Sequence, residues 1–135
     1  MKHIRMLGII IAASISSPAL AGTSAGWGHG GKLAPYEAMI AQANASGELF
    51  RIQGVCKSAC TMFLSISNVC VEPSATLMFH AGVTPTATAR MAATYNSALR
   101  GYVEGNHFLD TRTLRPIPGS VIISKFGYKA CPKQS

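Results

Sequence analysis

The stretch Gly54-Val55-Cys56-Lys57-Ser58-Ala59-Cys60, running on into Thr61-Met62-Phe63-Leu64, decides how this chain is read. Ahead of it, Glu48 to Gln53 alternates polar and apolar residues, the period of a half-buried strand, and stops at the turn residue Gly54. Behind it, Ser58 to Leu64 is small and apolar, the profile of a buried helix that begins at or just after Ser58. Ser58 therefore sits where a strand hands over to a helix. A serine there has two readings: the cap of a helix N-terminus, or a nucleophile exposed beside N–H groups that the first helical turn leaves unbonded.

Working outward toward the C-terminus, Val69 to Val71 and Leu77 to Phe79 read as two short strands separated by Pro73, the second ending in His80. A loop through Gly82, Thr84 and Pro85 leads into a helical stretch of about Ala87 to Glu104. On it Ala92, Tyr95, Leu99, Tyr102 and Val103 share one face, until Gly105 ends it. Pro116, Pro118 and Gly119 break the tail, and Val121 to Ser124 fits either a strand or a failed helix. Toward the N-terminus, Tyr36, Met39, Ile40 and Ala43 recur at helical spacing, with Pro35 suited to a first turn and Gly47 to the cap beyond the end. Gly22 to Gly31 is glycine-rich and aperiodic and reads as a flexible lead-in ending in a tight turn. Interleaved helices and strands over residues 32–135 predict one small α/β domain.

Residues 1–21 have the form of an export signal. Lys2, His3 and Arg5 make a basic start, Met6 to Ile15 an apolar stretch, and Ala19-Leu20-Ala21 a small-x-small cleavage site. The apolar run is shorter than the roughly 20 residues of a membrane span, so the mature chain is expected in the periplasm or outside the cell, with no membrane attachment. Removing 21 of 135 residues leaves 114, with ten basic residues against five acidic, a net charge of +5. The basic residues are scattered singly without aromatic interleaving, which argues against a nucleic-acid partner.

Four cysteines (Cys56, Cys60, Cys70, Cys131) in an exported chain point to disulfides, with three pairings open. Cys56 with Cys70 and Cys60 with Cys131 is the pairing we expect. No paired C-x-x-C spacing supports a zinc site with His29, His80 or His107, and no metal or cofactor is expected.

Acyl transfer needs a hydroxyl or thiol, a base within hydrogen-bond reach, and N–H groups aimed at the developing oxyanion. Ser58, His80 and the Gly30-Gly31 turn supply residue types for all three, although His80 at a strand end also reads as a structural histidine. A thiolate nucleophile at Cys56 or Cys60 conflicts with an oxidising compartment. Lys57 adjoins Ser58 and does not face it.

These residues resemble the proteolytic subunit of Clp protease, a member of the crotonase-like fold. In that family a Gly-Gly turn provides an oxyanion amide, a Gly-x-x-x-Ser segment opens a helix with the nucleophile, and a strand entered by a proline ends in the histidine base. Gly30-Gly31, Gly54 to Ser58 and Pro73 to His80 match in order. The Cys-x-Ser-Ala-Cys-Thr segment, the Cys-Val strand, Phe-His-Ala and a C-terminal Cys-Pro are similar to small exported bacterial relatives of that family.

The resemblance implies a crotonase-like domain reduced at its N-terminus, with Ser58 as nucleophile and His80 as general base. The oxyanion hole falls to the N–H groups of Ala59 and Gly30 or Gly31. The family's catalytic aspartate falls at Arg115 to Ser120, which contains no acid; Asp110, the only aspartate, aligns a few residues early, and Glu104 is the other acid near it. The expected function is a serine hydrolase or peptidase acting on peptides or esters. The alternatives are a degenerate relative that binds peptide or assembles with other subunits, and a disulfide-stabilised structural protein without a site. Family members form rings partly through the helix after the histidine, so a homo-oligomer through about Ala87 to Glu104 is also implied.

Overall fold

In a computed structural model of the chain, which describes residues 8–10 and 22–134, helices and strands alternate, with a strand at Val55–Lys57 that the patterning does not predict. The signal reading of residues 1–21 lies, apart from residues 8–10, outside the described residues. Helix α1 (Leu33–Ser46) closes on Gly47 at φ 69°, a left-handed cap that a side chain would strain. Strand β1 (Phe50–Ile52) turns through Gly54 into β2 (Val55–Lys57), and a 3-10 helix (Ser58–Ser65) follows. After it come β3 (Val69–Val71) and β4 (Thr76–Phe79).

The strands form two small sheets. β1 pairs with β3 in parallel, and β4 lies between β2, parallel to it, and an antiparallel edge strand β5 (Arg115–Pro118). The result is a small mixed α/β domain. Its core is built on Phe50, Phe63, Phe79, Leu77 and Leu99, all fully buried. Phe63, from the 3-10 helix, packs against Trp27, Tyr36 and Phe50 at ring separations of 5.7, 5.3 and 4.8 Å.

Four expectations are corrected. The stretch Ala87–Glu104 is two helices, α2 (Pro85–Ala92) and α3 (Ser97–Gly105), because Tyr95 turns inward and the Asn96 side chain accepts from the Leu99 N–H and starts a new helix. The shared apolar face survives the break, with Ala92, Tyr95, Leu99 and Val103 all buried. The proline-broken tail instead supplies β5. It is an edge strand, where alternate N–H groups face away from the partner and a proline loses nothing. Val121–Ser124 belongs to helix α4 (Gly119–Phe126), which buries Ile122 and Phe126.

Third, Gly22–Gly31 is docked along its length. Ser24 N–H donates to the Arg51 carbonyl, Arg51 N–H to Gly22, and Lys57 N–H to Gly28. The reason for the glycines is proximity: a Cβ on Gly28 would lie 2.0 Å from the Val55 carbonyl oxygen. Fourth, the disulfides are Cys56–Cys60 and Cys70–Cys131. Cys56 on β2 and Cys70 on β3 belong to different sheets, while the bridge Val71↔Ala130 carries Cys131 to Cys70. Two disulfides fit an exported protein, and no helix among the described residues is long and apolar enough to cross a membrane.

Candidate active site

Ser58 occupies the junction of β2 and the 3-10 helix with φ at 55°, in the left-handed region that costs a non-glycine residue about 1–2 kcal/mol. Two contacts hold it there, the second backed by a buried tyrosine. The Cys56–Cys60 disulfide straddles it, tying the last turn of the strand to the first turn of the helix. The Thr61 hydroxyl donates to the Ser58 carbonyl at 2.7 Å. Because that hydroxyl has spent its one proton, the Tyr95 phenol 2.6 Å away must be donor to it. Burial raises the Tyr95 phenol far above its ordinary range, so it stays protonated and the relay from Tyr95 through Thr61 to the serine backbone is permanent.

Tyr95→Phe removes the outer link of this relay while Thr61 keeps its bond to Ser58. The expected cost is about 1 kcal/mol, a drop in melting temperature of about 4 °C for a domain of this size. Calorimetry on the variant checks it, and an unchanged melting temperature would show the phenol to be idle.

The capping reading of Ser58 is overturned by its position and its bonding. The N-cap is Lys57, and no side chain caps this helix. The Ser58 hydroxyl instead lies 2.6 Å from His80 Nε2. His80 follows the last residue of β4 and is buried, with Nδ1 3.0 Å from the carbonyl oxygen of Arg112. A carbonyl only accepts, so Nδ1 carries the proton and Nε2 presents its lone pair to the serine hydroxyl. That is the tautomer a general base requires. The Ala81 N–H donates to the Thr111 carbonyl at 2.7 Å and brings the segment bearing Arg112 alongside the histidine.

The glycine turn lies against the serine. Gly30 has φ 77°, and a Cβ there would sit 2.9 Å from both the Lys57 carbonyl oxygen and Ser58 Cβ, so no larger residue fits. Gly31 and Ser58 line the same cleft. Ala59 is the second residue of the helix, so its N–H has no intrahelical acceptor. The Gly30 N–H makes a long bond of 3.4 Å to the Trp27 carbonyl, while the Gly31 N–H bonds no backbone carbonyl among the described residues.

The third member of the expected triad is corrected. Asp110 is exposed and pairs with His107 (2.7 Å), and Glu104 pairs with Arg100. Neither contacts His80, whose outer nitrogen takes the Arg112 carbonyl instead. Sequence reading missed this partner because any residue supplies a carbonyl and no side chain announces it. Lys57 lines the cleft beside Ser58, and no cluster of three metal-ligating side chains exists among the described residues.

A cleft of about 620 Å³ opens over Ser58 and His80. Its lining mixes the apolar Leu33, Val83, Met91 and Leu114 with the basic Lys32, Lys57, Arg90 and Arg112. It is large enough for several residues of an extended peptide or for a small ester. In comparisons with known proteins, no family model, no curated protein and no solved structure matches this chain.

Proposed function

We propose that the protein is an exported serine hydrolase, acting in the periplasm or outside the cell on peptides or esters through a Ser58–His80 dyad. The observation that carries this reading is the 2.6 Å contact between Ser58 Oγ and His80 Nε2, made by a serine held at positive φ. A capping or merely structural serine has no need of either feature. Resemblance to the proteolytic subunit of Clp protease supports the same roles.

In the reaction Ser58 Oγ attacks the substrate carbonyl as its proton passes to His80 Nε2. The carbonyl electron pair moves onto oxygen, facing the N–H groups of Ala59 and Gly31. Collapse expels the amine or alcohol, which takes the proton from Nε2. Water repeats the sequence on the acyl-enzyme, and Ser58 recovers its proton. The imidazolium formed at each step faces the Arg112 carbonyl, a dipole rather than a full charge.

In a triad, exchanging the orienting aspartate for a group that enforces the wrong tautomer costs about 10⁴-fold. Here the tautomer is right and only the countercharge is missing, so the deficit is smaller than that. The lack of a carboxylate at His80 does favour a second reading, a relative that binds peptide in the same cleft without turning it over.

Labelling by a fluorophosphonate separates the two. The oxidised protein should bind the probe covalently, one per chain, and Ser58→Ala should not. A folded wild-type protein that stays unlabelled would retire the hydrolase reading in favour of the binding one.

A further inference from the structure

We infer that the cleft over Ser58 is built for acidic peptides, with carboxylate side chains flanking a small or aliphatic residue. The inference rests on the proposed site for its location but not on turnover. Its first ground is charge. Lys32, Lys57, Arg90 and Arg112 all line the cleft, and no aspartate or glutamate does. Glu72 pairs with Arg51 and Glu48 lies beyond the far end of α1, while Glu104 and Asp110 line the adjoining pocket past Gly82, Val83 and Thr84, where they pair with Arg100 and His107. Glu37 pairs with Arg90 and offsets one of the four cations. Lys32, Lys57 and Arg112 have no carboxylate within ion-pair distance among the described residues.

A chain with twelve basic and five acidic residues has basic side chains everywhere, so their presence alone decides little. Three uncompensated cations around one concave site do more, because a cleft walled by protein focuses their field onto whatever enters. α1 adds to that field. It opens into the cleft at Lys32 and Leu33 with no side-chain cap and no acid in its first turn, so its positive end is uncompensated as well.

The second ground is shape and surface. Leu33, Val83 and Leu114 give the cleft aliphatic lining, and Val83 is 76% exposed. No phenylalanine, tyrosine or tryptophan lines the cleft, so it has no platform for stacking bases. A peptide that carries both an aliphatic side chain and carboxylates satisfies both the apolar and the basic residues of that lining.

The test is fluorescence anisotropy with two labelled hexapeptides of identical central Ala-Leu sequence, one flanked by glutamates and one by lysines. It uses the oxidised full chain and its Ser58→Ala variant, which binds without cleaving. The glutamate peptide should bind at least tenfold more tightly at low salt, and the difference should shrink severalfold in 0.5 M salt as the charges are screened. Lys32→Gln/Lys57→Gln should remove most of the preference, whereas Lys129→Gln/Lys133→Gln, with the same loss of charge away from the cleft, should keep it.

Equal affinity for the two peptides overturns the inference, and so does a preference that both double variants weaken alike. Failure of probe labelling with the preference intact would sink the hydrolase and leave an acidic-peptide binder. Labelling without the preference would do the reverse.

Discussion

Ester turnover by the His80→Ala variant should fall by about three orders of magnitude, while Asp110→Ala stays within about twofold of the unmodified protein. The first effect follows from the single base at the site. Without Nε2 at 2.6 Å, the Ser58 hydroxyl must lose its proton to water, and removing one member of a catalytic unit costs nearly as much as removing all of it. The second follows from where Asp110 lies: its carboxylate is bonded to exposed His107, not to His80. Hydrolysis of a nitrophenyl ester, read as kcat/KM with the fold checked by circular dichroism, measures both. A large loss in Asp110→Ala would mean that the loop closes on substrate to complete a triad. An unaffected His80→Ala would mean that ester cleavage occurs elsewhere on the protein.

How far the sequence carried this site depends on which atoms do the work. Side chains left signatures. Ser58 was placed by the change from strand to helix pattern, His80 by the end of a short strand, and the structure sets them within a hydrogen bond of each other. Backbone groups left none. The Arg112 carbonyl that orients His80 is indistinguishable in sequence from any other carbonyl, and the acids the sequence does offer, Asp110 and Glu104, fall outside the family's aspartate position. The glycine-rich segment failed as a flexibility signal for a related reason. Its glycines mark close approach of backbone to β2, at Gly28 and Gly30, and close approach is a property of the fold rather than of the segment. The break between α2 and α3 was also hidden, because Tyr95 keeps the helical spacing of its apolar face while leaving the helix to reach Thr61.

The disulfide pairing eluded the sequence because loop length alone cannot tell which strands share a sheet. Once known, it separates two tasks that a count of cysteines merges. Cys70–Cys131 spans 61 positions and closes nearly half the chain, tying the tail to β3. By loop entropy such a bridge contributes about 4 kcal/mol. Cys56–Cys60 spans only 4 positions and by the same reasoning contributes about 2 kcal/mol. Its place in the fold gives it another role. It brackets Ser58, whose φ of 55° is disfavoured and must be imposed from outside.

The two bridges should therefore fail differently. Cys70→Ala/Cys131→Ala should lower the unfolding free energy by about 4 kcal/mol and yet label with fluorophosphonate at close to the normal rate wherever it remains folded. Cys56→Ala/Cys60→Ala should lose only about half as much stability, but its labelling rate should fall by about two orders of magnitude. The freed serine relaxes toward ordinary helical φ and swings its hydroxyl away from His80. Labelling rates taken well below each variant's melting transition, beside denaturant titrations, keep stability and geometry apart. If both variants label in proportion to the fraction folded, the short bridge is only a staple. If the short-bridge variant alone goes silent while folded, the strained turn at Ser58 is what makes the serine reactive, and an oxidising compartment is a condition for activity rather than only for folding.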